Sequence, residues 1–239
     1  MGLERILEPE VMDTEQDALE YDGMDFLEVN LSFAQRALDV LPASGRILDL
    51  GTGTARIPIL LIQLLETRDL SIDAIDLSNE MLKVAAQNVN KAGFGTRIHL
   101  KLVDAKMLPF RRAEFDAVIS NSLIHHIPDP RSLFAEAARV LKPAGGILLR
   151  DLKRPETMEE LDNLVATYTA GASKYQQKLY RDSLRASLTL GEVSAYAHEA
   201  GLSGAAIVAS SDRHWTLERR WASDPKGVEY SNVGRSPTI

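Results

Sequence analysis

The chain has 239 residues, 45% apolar and 26% charged, with a formal charge of −7. These values suit one α/β domain with modest additions, with two small domains as the alternative, and exclude the disordered and collagen-like classes. The absence of cysteine excludes disulfides, thiolate metal sites and cysteine nucleophiles, and the negative charge disfavours nucleic acid, because neutralising phosphates takes a basic surface.

Residues 1–25 are mostly acidic, with one short helix expected over 14–20. The segment lacks the basic-then-apolar layout of a signal peptide. The apolar run over 57–65 is interrupted by Gln63 and is too short to span a bilayer. The expectation is a cytoplasmic protein without membrane insertion. Leu27, Leu31, Ala34, Leu38 and Leu41 recur near helical spacing, which predicts a helix over 26–41 stopped by Pro42 and Gly45.

From there strands and helices alternate. Strands are predicted over 46–50 (RILDL), 71–76 (SIDAID), 97–103 (RIHLKLV), 115–120 (FDAVIS) and 147–151 (ILLRD). Helices are predicted over 55–66, over 79–91 with Gly93 beyond its end, and over 129–141 with Pro130 in the first turn, where its missing N–H is harmless. Residues 143–146 read as a turn. Such alternation predicts a parallel sheet with right-handed crossovers. Residues 155–190 break the rhythm as an amphipathic helical insertion carrying Tyr168, Tyr175, Tyr180 and Arg181, which either line a cap or form a helical core face. A helix over 189–200 ends at Gly201, and strands over 205–210 and 214–219 form an antiparallel edge. The expected organisation is an N-terminal arm and helix over 1–45, a main domain over 46–222, and a flexible tail over 223–239.

Four motifs carry chemistry. In ILDLGTGTARIPI, a strand ends at Leu50, Gly51, Thr52 and Gly53 follow, and a helix begins. The glycines allow positive φ and close approach of a ligand to the backbone, and the helix N-terminus offers free N–H groups. Asp49 would repel a pyrophosphate and attract an ammonium group, and Arg56 stands where a dinucleotide fingerprint has its third glycine. A plainer reading has Asp49 capping or salt-bridging a neighbouring helix. Asp76 ends the second strand, where a carboxylate can accept both ribose hydroxyls, and Ser78 caps the next helix. Asp104 and Ala105 follow the third strand; alone, such an Asp is an ordinary turn former. Asn121 and Ser122 follow the fourth, at the sheet edge where a doubly wound fold binds ligands, and His125-His126 come next.

In order and spacing these motifs resemble those of the Rossmann-like (class I) S-adenosylmethionine-dependent methyltransferases, in particular the small-molecule subgroup. The likeness covers about two thirds of the chain. It implies a seven-stranded, mostly parallel α/β sheet with an antiparallel last strand, helices on both faces and a helical insertion after the fifth strand. It further implies that Asp49, Gly51, Thr52 and Gly53 hold the methionine part of the cofactor, that Asp76 binds the ribose, and that Leu77 and Met81 lie beside the adenine. Asp104 would accept from the adenine amino group, with the Ala105 N–H at the same position, and the backbone around Asn121 and Ser122 would face the sulfonium. S-adenosylhomocysteine would be the product. Ala55 departs from the pattern, since many members have glycine there.

Candidate catalytic groups are His125, His126, Asp151 and Tyr21. A sulfonium methyl is already activated, so a general base is needed only if the nucleophile must lose a proton. Tyr21, Asp22 and Met24 resemble a segment that closes over the cofactor in related enzymes. Arg150, Asp151 and Arg154 flank the end of the fifth strand, where an anionic acceptor is conceivable. No metal is expected, because the two histidines lack a third ligand at any recognisable spacing. Two other readings stay open: an NAD-linked oxidoreductase, and a non-catalytic protein that binds S-adenosylmethionine. The Asn/Asp-Pro-Pro-aromatic tetrapeptide of nucleic-acid base methylation is absent; the equivalent place reads Asn-Ser-Leu-Ile.

Overall fold

The computed structural model describes residues 2–8, 14–24, 26–202 and 204–222. In chain order the elements are α1 (Glu15–Gly23), α2 (Leu27–Ala37), β1 (Ser44–Leu50), α3 (Arg56–Leu64), β2 (Asp69–Asp76), α4 (Asn79–Ala92), β3 (Ile98–Leu102) and β4 (Phe115–Asn121). A 3₁₀ turn (Ile124–His126) follows, then α5 (Arg131–Val140), β5 (Leu141–Leu152), α6 (Met158–Tyr168), α7 (Lys174–Ala186), α8 (Leu190–Glu199), β6 (Ala206–Ala209) and β7 (His214–Arg219). The predicted tail from residue 223 lies outside the described residues.

The strands form one seven-stranded sheet in the order β3-β2-β1-β4-β5-β7-β6. β1 pairs parallel with both β2 and β4, and β7 runs antiparallel to β5 and β6. The expected mostly parallel sheet with an antiparallel last strand is therefore present. Neighbouring strand residues serve opposite faces. Leu48, Leu50, Val118, Ile147 and Leu149 pack with α5, α8, Trp215 and Leu217, whereas Ile47, Ile72, Ala117, Ile119 and Leu148 pack with α2, α3 and α4. Burial on both faces explains why these strands read as continuous apolar runs. The chain winds outward from β1 to β3 and returns beside β1 as β4. The order reverses there, and a crevice opens at the carboxyl ends of those two strands.

Element ends shift by a few residues from expectation, and three of the differences have a clear physical reason. The predicted turn over 143–146 is part of β5. Phe115 pairs with Leu141 but Ala117 pairs with Gly146, so the intervening residues bulge while the strand continues. A Cβ on Gly146 would stand 2.2 Å from the Val40 carbonyl oxygen, which explains a glycine at this approach. The helix predicted over 26–41 ends at Ala37, because Leu38, Asp39 and Val40 donate to Gln35, Arg36 and Ala37 carbonyls in a tighter last turn. The helix predicted over 129–141 gives way one residue early, since Leu141 is already extended at the start of β5.

Candidate functional site

Gly51 and Gly53 both take positive φ, +69° and +55°. They turn the chain from β1 into α3 so that the Thr52 N–H donates to the Ile75 carbonyl and the Gly53 N–H donates to Asp76 Oδ2 at 2.8 Å each. A Cβ on Gly51 would lie 2.8 Å from the Leu123 side chain, so the two loops meet across this glycine. Ala55, at the departure from the family pattern, also takes a left-handed φ of +61° and is fully buried. It caps α3 without any side-chain hydrogen bond.

Asp49 lies beneath this turn rather than in the crevice wall, only 2% exposed. Among the described residues its Oδ2 has no hydrogen-bond partner, and neither has the buried Thr52 hydroxyl. Burial pushes the Asp49 carboxyl up to about 7; the nearby Thr52 hydroxyl opposes the rise and the Asp76 charge adds to it. An unmatched buried carboxylate oxygen is costly, and a cationic donor brought by a ligand relieves that cost. The plainer reading of Asp49, a cap or a salt bridge to a neighbouring helix, has no support among the described residues.

Asp76 is anchored at both oxygens. Oδ2 accepts from Gly53 and Oδ1 from the Ser78 N–H at 2.9 Å. Each oxygen retains a lone pair for a diol. Burial raises this carboxyl, against the lowering effect of the backbone N–H groups of Ser78, Gly53 and Leu77. Ser78 also caps α4, accepting from Met81 N–H at 3.1 Å, so the capping and ligand readings of this loop coexist. Leu77, Met81, Asp104 and Ala105 line the same crevice. Asp104 accepts from the Lys106 N–H at 2.8 Å, which fixes the loop after β3.

Asn121 and Ser122 close the other wall. Ser122 takes φ +58° and donates its N–H to the Arg150 carbonyl at 2.9 Å. Asn121 Oδ1 accepts from Arg150 Nε at 2.9 Å, and the Arg150 guanidinium also donates to the Val29 carbonyl and lies over the Phe33 ring. Burial, with Arg36 and Arg213 nearby, lowers Arg150 to about 10. Tyr21, from α1, faces the crevice between Gly51 and Asn121. Burial and the charges of Asp76 and Asp22 push its hydroxyl up to about 12. Asp22 holds Arg56 at 2.8 Å and receives Asn88, tying α1 to α3 and α4.

The two histidines part company. His126 lines the crevice, whereas His125 is buried behind it. His125 Nδ1 lies 2.6 Å from Asp151 Oδ1. Asp151 Oδ2 accepts the Ile124 and His125 N–H groups at the start of the 3₁₀ turn, at 2.5 and 3.0 Å. Burial works to raise Asp151, but the His125 charge and these bonds outweigh it and hold the carboxyl below the usual range. Asp151 is thus a sealed anchor for the loop after β4 and does not reach the crevice. Arg154 is likewise buried, paired with Glu192 at 2.6 Å.

Sequence reasoning missed Arg5 and Glu8. Arg5 donates to the carbonyls of Ala186, Ile127 and Pro128. That clasp brings Glu8 Oε1 to 3.4 Å from His125 Nε2 and 3.0 Å from His126 Nδ1. No local pattern marks either residue. In the insertion, Tyr180 packs on the core of α6 and α7, Tyr175 is exposed, and Tyr168 hydrogen-bonds Asp212 under the Arg213 guanidinium. Tyr168 lines a cavity with Arg36, Arg150 and Arg213.

A family model described as a methyltransferase domain matches residues 42–217. The chain is 28% identical over 179 residues to the 27-O-demethylrifamycin SV methyltransferase of Amycolatopsis mediterranei, an alignment covering 73% of this chain and 61% of that one. It is 29% identical over 175 residues to the ubiquinone biosynthesis O-methyltransferase of Xanthomonas axonopodis, covering 73% and 68%. Among solved structures, a Haemonchus contortus phosphoethanolamine N-methyltransferase in complex with S-adenosylhomocysteine has the same fold, with a TM-score of 0.61 at 24% identity over 82% of this chain and 43% of that one.

Proposed function

The chain belongs to the methyltransferase-domain family, and from that premise we propose that it transfers the methyl group of S-adenosylmethionine to a small-molecule acceptor and releases S-adenosylhomocysteine. The observation that carries this reading is the buried, unmatched carboxylate oxygen of Asp49 beneath the Gly51–Gly53 turn. That environment suits an amino-acid ammonium group and opposes the diphosphate of a nicotinamide dinucleotide.

Bound S-adenosylmethionine supplies a methyl group already activated on a sulfonium. The chain's residues bind, orient and exclude water. Asp49, Gly51, Thr52 and Gly53 hold the amino-acid end, Asp76 takes the ribose hydroxyls, and Leu77 and Met81 bound the adenine beside Asp104 and Ala105. Asn121 and Ser122, held by Arg150, set the wall on the sulfonium side. Tyr21 and His126 are the catalytic candidates that face the crevice, whereas His125 and Asp151 act on it through the loop they anchor. α1 serves as the lid, closed through Tyr21 and the Asp22–Arg56 pair, whereas α2 packs in the core.

The relatives with named small-molecule acceptors support a small-molecule substrate here. The net charge of −7 supports the same choice over nucleic acid. Among the described residues no helix is long and apolar enough to cross a membrane, and the reading places the enzyme in the cytoplasm.

Calorimetry with S-adenosylhomocysteine and with NAD tests the cofactor. Binding of the first and not the second is expected; the reverse result means an oxidoreductase. Asp76→Ala should weaken S-adenosylhomocysteine by about 1–3 kcal/mol through lost charged hydrogen bonds. A homocysteine-release screen of phenolic and amine acceptors then tests turnover, and binding without turnover of any acceptor would favour a non-catalytic role.

A further inference from the structure

Beside the crevice, donor groups from remote parts of the chain converge on one point. Glu8 arrives on the N-terminal segment, which Arg5 fastens to the loop after β4 and the Ile6 N–H fastens to the Arg185 carbonyl. The Ser183 hydroxyl reaches both Glu8 oxygens, Oε2 at 3.1 Å and Oε1 at 3.3 Å, and Oε1 also faces the histidines. Asp151 Oδ2 accepts the Ile124 and His125 N–H groups, and Oδ1 accepts the Leu152 N–H and meets His125 Nδ1. A carboxylate only accepts, so Nδ1 carries a hydrogen towards Asp151, and a cation bound at Nε2 takes the place of the proton that this nitrogen shares with Glu8.

We propose that Glu8, His125 and His126 form a binding site for a divalent first-row transition cation. The Glu8 oxygen, 3.4 Å from His125 Nε2 and 3.0 Å from His126 Nδ1, belongs to a group of three ligand atoms that all lie within 4.8 Å of one another. Around a cation with bonds of about 2.1 Å, neighbouring ligand atoms stand roughly 3.0–3.4 Å apart, so small side-chain adjustments complete the geometry. Two imidazoles and a carboxylate suit zinc, cobalt, nickel, iron or manganese and not the soft or purely hard extremes. The Asp151 carboxylate on the far nitrogen of His125 is the outer support that metal-bound histidines generally have; it fixes the tautomer and raises ligand basicity. Two carboxylates share this buried volume, and a divalent cation offsets their charge. His126 also lines the crevice, which provides an entry path and an open coordination position. The site extends the proposed function without depending on it: the cation binds whether or not a methyl group is transferred.

The test uses untagged full-length protein stripped with chelator and titrated with cobalt(II) while the visible ligand-field bands are followed, with zinc(II) calorimetry alongside. One equivalent of cobalt is expected, with bands of four- or five-coordinate intensity displaced by one equivalent of zinc. Glu8→Gln and His126→Gln should each weaken zinc at least tenfold with unchanged circular dichroism, and Asp151→Asn should weaken it about 10–100-fold. No stoichiometric cobalt uptake by the wild-type chain overturns the proposal, as does zinc affinity that Glu8→Gln leaves unchanged. Wild-type uptake alone is decisive if a variant fails to fold.

Discussion

The crevice at the ends of β1, β2 and β4 and the Glu8–His125–His126 cluster lie on two sides of one loop, yet they are built differently. In the crevice, Asp49, Gly51, Asp76 and Asn121 each sit at or beside the end of a strand, and the strand positions them. In the cluster, a segment before the first helix, a turn after β4 and the middle of the chain must meet before any donor has a partner. The first kind of site is locally encoded and tolerates loss of remote contacts. The second is assembled by tertiary clasps, so its failure should register in stability as well as in binding.

The largest effect that comparison predicts falls on the anchor. Asp151→Ala strips the carboxylate from the buried His125 ring and from three N–H groups. It should lower the unfolding free energy by about 3–5 kcal/mol, measured by urea denaturation; a loss below about 1 kcal/mol would mean that the loop is held by something else.

Asp49→Asn should divide binding from stability. S-adenosylhomocysteine affinity should fall by about 1.5–3 kcal/mol as a charged contact is lost. The free protein at pH 8 should become more stable, because the buried charge is gone. The sign follows from the raised carboxyl. With a folded pKa of about 7 against an unfolded one near 4, the folded state binds the extra proton, so this group's contribution is favourable at low pH and lost as pH rises towards 7. Cofactor affinity moves the other way: an ammonium group selects the ionised form, so affinity should fall by up to about tenfold per unit as pH drops below 7. Calorimetry across pH 5.5–8 reads this slope, which should vanish in Asp49→Asn.

Gly51→Ala places a Cβ against Leu123 at a left-handed φ. It should cost about 1–3 kcal/mol in thermal unfolding, with poorer cofactor binding because the two loops separate. The smallest effect belongs to Ala55→Gly. Removing left-handed strain of roughly 1–2 kcal/mol is set against a lost buried methyl of about 0.8 kcal/mol and added freedom in the unfolded chain. The melting free energy should stay within about 1 kcal/mol of the parent; a larger change would mean that this turn is less relaxed than its neighbours.

Much of the crevice was legible because its residues follow strand ends at short range. Alternating apolar segments announced β1, β2 and β4, and Asp49, Asp76 and Asn121 came with them. Harder to read was which histidine would face the crevice, since His125 and His126 are adjacent and only packing of the 3₁₀ turn on Asp151 separates them. The bulge over 142–145 was hidden for a similar reason: Pro143, Gly145 and Gly146 look like a turn until Val40 is known to pass alongside.

By itself, the order of residues determined the strand–helix alternation, the glycine turn with its acid, and the chemistry at the sheet's carboxyl edge, because period, turn preference and strand-end placement are short-range properties. Only the tertiary structure decided that Asp49 is buried below the turn with an oxygen unmatched, that Asp151 is an anchor, and that Glu8 meets the histidine pair. Burial and long-range convergence are set by packing, and no spacing along the chain encodes them.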